Sequence, residues 1–473
     1  MTSTARPDHP RVSISRALVR EARGVDLSDL SAPAQAKIKM CLLDFLSCAF
    51  EARDLPTSRQ AIGVVARLPS GSVVVGSDVV TSVSDAAFAN ATLGHGLVRE
   101  DMHAGSIAHH GVVIWPILLA FAQRTPMSGA RLLRAAAVGY EVGGRVGRAL
   151  MTAELAQLFR PTGILGPLVG AMAGGILLDL DEDILVSAIA LAANTSSGLN
   201  QWPYEGGSEM YFHPGFAARN AVTALELAEA GTFGSEYIIE GPAGLFRAFG
   251  HTNSPEAIAL FPGGNEEILS VYNKPVPACN FAQTACQAAI CVAHEIDSVA
   301  AIDAITVRLP SAAIDYPGCD FSGPFQHALQ AKMSIQFGVA AALVRRSVAE
   351  ENYRRLDDPD VLRLASLMRL TRDPDFSTAF PATQGAEVEV GLSTGARIGR
   401  RISDVVAATQ DEIRARFRAA ASGVIGTQRA NILEETIDGL DRLDRAGRIA
   451  ELCSLSVPKG RTRILTPRAK TGR

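Results

Sequence analysis

The run Ile164-Leu165-Gly166-Pro167-Leu168-Val169-Gly170-Ala171-Met172-Ala173-Gly174-Gly175-Ile176-Leu177-Leu178 carries no charge and holds four glycines. It falls short of the ~20 apolar residues that cross a bilayer. The reading that fits is a buried helix whose small faces let neighbouring helix axes come close, which predicts a multilayer helical domain. Partners for it are legible on both sides. From Ser13 to about Gly264, alanine, leucine and valine recur at three- and four-residue spacing, as in Ala36–Phe50, Ser84–Leu97, Arg131–Leu150 and Ala217–Ala230. The breaks fall at Pro69-Ser70-Gly71-Ser72, Gly206-Gly207 and Pro262-Gly263-Gly264.

The pattern changes near residue 270. Ala304–Leu309 alternates like a strand, with Ile305, Val307 and Leu309 on one face. Ala386–Ile402 reads as a hairpin that turns at Ser393-Thr394-Gly395. Helices are predicted between these strands, over Ala331–Arg346 and Asp360–Met368, and again from Gln410 to Leu455. The fold class is therefore mainly α: a helical domain over 1–268, a smaller α+β domain over 269–405, and C-terminal helices over 406–473 that return to the first domain. A chain of 473 residues has room for two or three domains at roughly 100–200 residues each.

Apolar residues make up 47% and charged residues 20%, a globular composition. Forty-five basic residues against 49 acidic give a net charge of −4, which argues against nucleic acid or an anionic membrane as partner. The short basic tail, Lys459–Arg473, reads as a solvated terminus. The first residues, Met1-Thr2-Ser3-Thr4-Ala5-Arg6-Pro7-Asp8, contain no apolar signal core. Seven scattered cysteines without CxxC spacing predict a reduced, cytoplasmic protein lacking disulfides and structural zinc. Cys286 and Cys291 lie in an alanine-rich helical run and read as small hydrophobes.

Histidine points to the chemistry. Four of the nine lie between His95 and His110, interleaved with Glu100 and Asp101, between two apolar helices. Such a segment can hold an acid–base pair or can simply join two helices. Its spacing matches neither HExxH nor a zinc pattern, so no metal is expected. The glycines of Gly139–Gly147 follow no strand and read as helix-packing contacts rather than a dinucleotide fingerprint. No GxSxG elbow and no Walker loop is present. Arg160-Pro161-Thr162-Gly163 places an arginine at a helix start, where guanidinium and backbone N–H groups together favour an anion.

These residues resemble the MmgE/PrpD family. The resemblance is carried by Ala89-Asn90-Ala91 through His95 to His109 and Gly111, and by Gly139-Tyr140-Glu141-Val142. Further matches are Arg160-Pro161-Thr162 with Gly166; His213-Pro214-Gly215 with Ala217-Ala218-Arg219-Asn220; Lys274-Pro275 with Cys279; and Lys332 with Ser334. It spans most of the chain in order. The resemblance implies a helical domain with an α+β lid, usually a homodimer, with the active site between the domains and no cofactor. It also implies chemistry that begins with proton loss next to a carboxylate.

Several family positions have changed. Val98 and Met102 stand where the pattern His-x-x-Asp-x-Asp-Asp-Thr has its first aspartate and its threonine, and Arg160 replaces a pocket histidine. Met210, Gln283 and Phe337 align with a lysine, a histidine and a lid tyrosine. The expected machinery is therefore Asp101, His103 and His109 for proton transfer, with Asp101 orienting an imidazole. Arg160, Lys274, Lys332, Tyr211 and His213 are expected to bind a small di- or tricarboxylate, and Tyr204 is a second candidate hydroxyl. Lys274 and Lys332 are expected to reach the cleft from the lid as surface residues whose loss leaves stability intact, and His103→Asn is expected to abolish turnover. Three readings stay open: a cofactor-independent lyase or dehydratase, an epimerase or isomerase, and a catalytically impaired paralogue.

Overall fold

The computed structural model describes residues 12–455; the basic tail and the first residues discussed above lie outside them. Helix Pro161–Leu178 is buried along almost its whole length at the centre of the N-terminal region. Among the described residues it is the one helix long and apolar enough to cross a membrane, yet it is enclosed by other helices, the position of a core helix. It packs against Gly129–Leu150, Gly111–Arg124, Glu182–Ala193 and His213–Glu229. Gly170 shows why the run is rich in small residues: a Cβ there would sit 2.8 Å from that of Ala221 and 2.5 Å from Ile117 Cδ1. Pro167 lies inside the helix and offers no N–H to Gly163 O. The backbone N–H of Ser197 donates to that carbonyl instead, at 3.3 Å.

The expected helices form with boundaries shifted by a few residues, as Ala32–Ala52, Val83–His95, Gly129–Leu150 and His213–Glu229. Serine caps the first three, its hydroxyl accepting from the backbone N–H three residues on. The glycines of 139–147 lie inside Gly129–Leu150 and serve packing, as read from the sequence.

The second region is built on a four-stranded sheet ordered Met368–Arg372, Ile302–Leu309, Ala386–Leu392, Arg397–Ile402. The first pair is parallel and the others antiparallel. Helices Gln283–Ala293 and Ile335–Arg345 pack together, and the former covers the sheet. Two expectations are corrected here. The single helix predicted over 331–346 is two, Ala328–Met333 and Ile335–Arg345, because Ser334 turns extended and its hydroxyl caps the second at Phe337 N, 2.9 Å. The helix predicted to Met368 ends at Ser366, and Met368 opens an edge strand whose Met-Arg-Leu-Thr-Arg sequence hides its pairing.

The C-terminal helices Gln410–Ile425 and Thr427–Asp438 lie against Ala32–Ala52, with Phe417 meeting Phe50 edge-on. Arg416 donates to the carbonyls of Lys274 and Pro275, at 3.0 and 2.8 Å. The last helical segment thereby holds the backbone where the two larger regions join.

Candidate active site

Helix Val83–His95 ends at Gly96, and the chain must reverse before helix Gly111–Arg124. Val98 makes that turn with φ +56°, a left-handed conformation that a β-branched residue adopts only under constraint. Its carbonyl accepts a hydrogen bond from Lys274 Nζ. The loop then divides its side chains between two buried groups.

The first group gathers around Glu100. Its carboxylate bonds His95 Nδ1 and lies 3.2 Å from His109 Nδ1. The rings of His95 and His109 meet edge-on at 5.4 Å. His109 Nδ1 also donates to the backbone carbonyl of Asp101, at 2.9 Å, which leaves Nε2 to accept a proton. His109 N donates to Thr162 Oγ1 at 3.0 Å, tying this loop to the start of helix Pro161–Leu178. Arg160 caps that start. Its guanidinium donates to Tyr316 OH at 3.3 Å and faces His95 Nε2 at 3.5 Å. Met210 Sδ lies 2.9 Å from the same His95 nitrogen.

Charge is unevenly served in this group. Burial opposes the ionisation of Glu100, but the two imidazoles and Lys274 outweigh it and hold the carboxyl well below its usual range. Burial lowers His95 and His109, against the opposing pull of Glu100. Lys274, fully buried, is pushed down to about 8 by desolvation. Among the described residues, neither Arg160 nor Lys274 has a carboxylate within ion-pair distance. Glu100 Oε2, Arg160 Nε and His213 Nδ1 are buried without a hydrogen-bond partner among the described residues. Native interiors leave few such atoms. His213, lowered to about 3 by burial and the nearby Arg160, borders a cavity of about 300 Å³ with Gly163, Ser197, Gly198 and Gln201.

The second group is saturated. His103 Nε2 donates to Glu267 Oε2 at 2.6 Å, and its Nδ1 meets Ser106 Oγ at 2.9 Å. Ser106 Oγ also accepts from His110 Nε2, at 2.9 Å. Arg145 and Arg148 reach Glu267 at 2.9 and 3.0 Å. Burial works against the charge on Glu267, but His103 and Arg148 hold the carboxyl down at about 2. Gly143 gives the His110 ring its room: a Cβ there would lie 2.6 Å from Nδ1.

The sequence-derived residues are thus sorted. His109, Arg160, Lys274 and His213 come together. His103 does not join them, because both its ring nitrogens are engaged in the other group. Asp101 is buried nearby, but its carboxylate takes hydrogen bonds from Tyr140 OH and Gly111 N. The carboxylate that orients the imidazoles is Glu100. Lys332 is no surface residue: it is 1% exposed, paired with Glu350 at 2.7 Å and bonded to Leu97 O at 3.0 Å. Lys274 is equally inaccessible, so neither lysine is the surface residue that the sequence reading expected. Tyr211 and Lys332 line a separate cavity of about 400 Å³ with Glu350 and His327, and Tyr204 is exposed. Residues absent from the sequence-derived set are His95, Glu100 and Tyr316. The five-residue step from His95 to Glu100 was the available signal; nothing local marked Tyr316. Among the described residues no three His, Cys, Asp or Glu side chains are grouped to hold a metal.

Known proteins bear on this arrangement. The model of the MmgE/PrpD N-terminal domain matches residues 16–258, and that of the MmgE/PrpD C-terminal domain matches residues 276–442. The chain is similar to a cis-aconitate decarboxylase of Aspergillus terreus, 22% identical over 491 aligned residues that cover 97% of this chain and 99% of the relative. It is also similar to the cis-aconitate decarboxylase-like protein oryM of Aspergillus oryzae, 26% identical over 468, covering 88% and 92%. The first matched region supplies His95, Glu100, His109, Arg160 and His213, the second supplies Tyr316, and Lys274 lies on the segment between them. With both family models matched in order along most of its length, the chain belongs to the MmgE/PrpD family.

Proposed function

We propose that the protein is a cofactor-independent lyase acting on a small di- or tricarboxylate, with the cluster around Glu100 as its active site. Membership of the family and its decarboxylase relatives support lyase-type activity. The observation that carries the substrate class is the pair of buried cations, Arg160 and Lys274, without ion-paired acids. Glu100 is one acid facing two buried cations, an unpaired buried charge costs several kcal/mol, and a polycarboxylate would offset the excess.

In this reading Arg160 and Lys274 grip carboxylates, and His109 Nε2 removes the proton next to one of them. Negative charge then develops on that carboxylate, facing cations already in place. Glu100 orients His109 and His95 and stabilises the imidazolium that forms. Tyr316 OH is kept protonated by burial and polarised by Arg160, which makes it a proton donor to the leaving group or to the carbanion. The route needs no metal, so chelator treatment leaves activity intact.

The epimerase reading has one observation in its favour, a second imidazole, His95, that shares Glu100 with His109. Incubation with a polycarboxylate panel in deuterated water separates these possibilities. A new unsaturated or decarboxylated product supports the lyase. Deuterium exchange without a new constitution supports the epimerase, and inertness toward the whole panel sinks both.

A further inference from the structure

Cys279 and Cys319 stand 40 residues apart in sequence, yet their sulfurs lie 3.5 Å from each other beside the proposed active site. Neither takes part in the chemistry above. Main-chain bonds hold the two in register. Cys279 N donates to Lys332 O at 2.8 Å, and Ile335 N donates to Cys319 O at 3.0 Å, so both cysteines are fastened to the same pair of helices around Ser334. Cys279 ends the segment that begins at Lys274. Cys319 ends the turn that begins at Tyr316, where Cys319 N donates to Tyr316 O at 3.1 Å.

We propose that Cys279 and Cys319 form a reversible disulfide under hydroperoxide, and that this bond turns the neighbouring active site off. The regulatory half rests on the reading of the Glu100 cluster as catalytic; the disulfide draws on that reading only for the route by which the oxidant enters. The two sulfurs are chemically unequal, as exchange requires. The S–H of Cys319 donates to Cys279, which together with Lys274 and Arg160 lowers the Cys279 thiol, while burial raises Cys319. The Cys279 thiolate attacks one peroxide oxygen, the O–O bond breaks, and a sulfenic acid and hydroxide result. The Cys319 sulfur then attacks the sulfenic sulfur. Its proton leaves with the hydroxyl as water, so two thiols and one hydrogen peroxide become one disulfide and two waters.

Hydrogen peroxide is smaller than the polycarboxylate the cluster is proposed to admit, so any opening that serves the substrate serves the oxidant. The consequence follows from geometry. Closing the sulfurs from 3.5 Å to about 2 Å moves the Tyr316–Cys319 turn and with it the phenol that Arg160 holds.

The test is peroxide titration of the full-length protein, followed by peptide mapping without reduction. The expected result is a Cys279–Cys319 linked peptide, removed by dithiothreitol, while Cys286 stays a free thiol; burial pushes Cys286 up to about 12. In Cys319→Ser the linked peptide is absent and dimedone labels Cys279. Activity on the substrate found in the panel falls at least tenfold on oxidation and returns with dithiothreitol. Oxidation of other cysteines with no Cys279–Cys319 peptide overturns the disulfide. A quantitative Cys279–Cys319 bond with unchanged turnover overturns the regulation. If no panel compound is turned over, the active-site reading falls with the regulation, and the linked peptide alone decides the disulfide.

Discussion

One loop, His95 to His110, feeds two histidine groups of opposite character. Around Glu267, each ring nitrogen of His103 has a partner, two arginines offset the carboxylate, and Ser106 joins the two rings. Around Glu100, two cations lack acids and three polar atoms lack partners among the described residues. Both groups are buried, so exposure does not tell them apart. What separates them is whether the protein satisfies its own polar atoms. A saturated network adds stability, whereas an unsaturated one keeps binding capacity in reserve at a cost in stability.

This contrast can be attacked most directly by exchanging the two imidazoles' fates. His109→Asn is expected to lower turnover by ~10²–10⁴, the span for a lost general base, with melting temperature nearly unchanged. His103→Asn is expected to do the reverse, lowering stability by roughly 1–3 kcal/mol through unpaired partners while turnover persists. Loss of turnover in a well-folded His103→Asn protein, measured by initial rates and circular dichroism together, would return His103 to the active site.

The two lysines extend the contrast. Lys332→Met strands Glu350 in the interior and is expected to cost ~3–5 kcal/mol of stability in denaturant melts. Lys274→Met leaves no paired acid behind, so its effect should appear in substrate affinity more than in melting. Equal destabilisation by both would mean that Lys274 is structural too.

A smaller effect is expected at Arg160. Arg160→Lys should weaken substrate binding by roughly 1–3 kcal/mol, as for one charge-assisted hydrogen bond, without moving the pH profile. Arg160→His is the sharper probe: a gain of activity on cis-aconitate would show that Arg160 marks lost activity and not a different specificity.

The last predicted effect is in the acid limb of stability. His213 is held neutral down to about 3, against ~6.5 when unfolded. Between those values the unfolded chain binds the proton and the folded one does not, so stability falls as pH is lowered through that window. His213→Asn should reduce the slope of stability against pH there by up to about 1.4 kcal/mol per unit. An unchanged slope would place the titration elsewhere.

Much of this molecule follows from short stretches of chain. The apolar helix 161–178, the serine-capped helices and the hairpin 386–402 form where periodicity, caps and turn residues put them, because those elements are made by hydrogen bonds and faces within a few residues. Arg160 at its helix start, with Pro161 behind it, was legible for the same reason. The edge strand 368–372 was not, since only one of its five residues is buried and its pairing with Ile302–Leu309 comes from 63 residues away.

The site divides along the same line. Local sequence brings the histidines, Glu100 and Asp101 onto one loop, and says nothing about which carboxylate meets which ring. That choice depends on where the backbone of Val98 turns, on Tyr140 claiming Asp101, and on Glu267 claiming His103 from a distant segment. The lysines show it most plainly. Two similar residues near the domain junction differ because Glu350 pairs with one and, among the described residues, no carboxylate lies within ion-pair distance of the other, and a charge acquires its meaning from neighbours that only folding supplies.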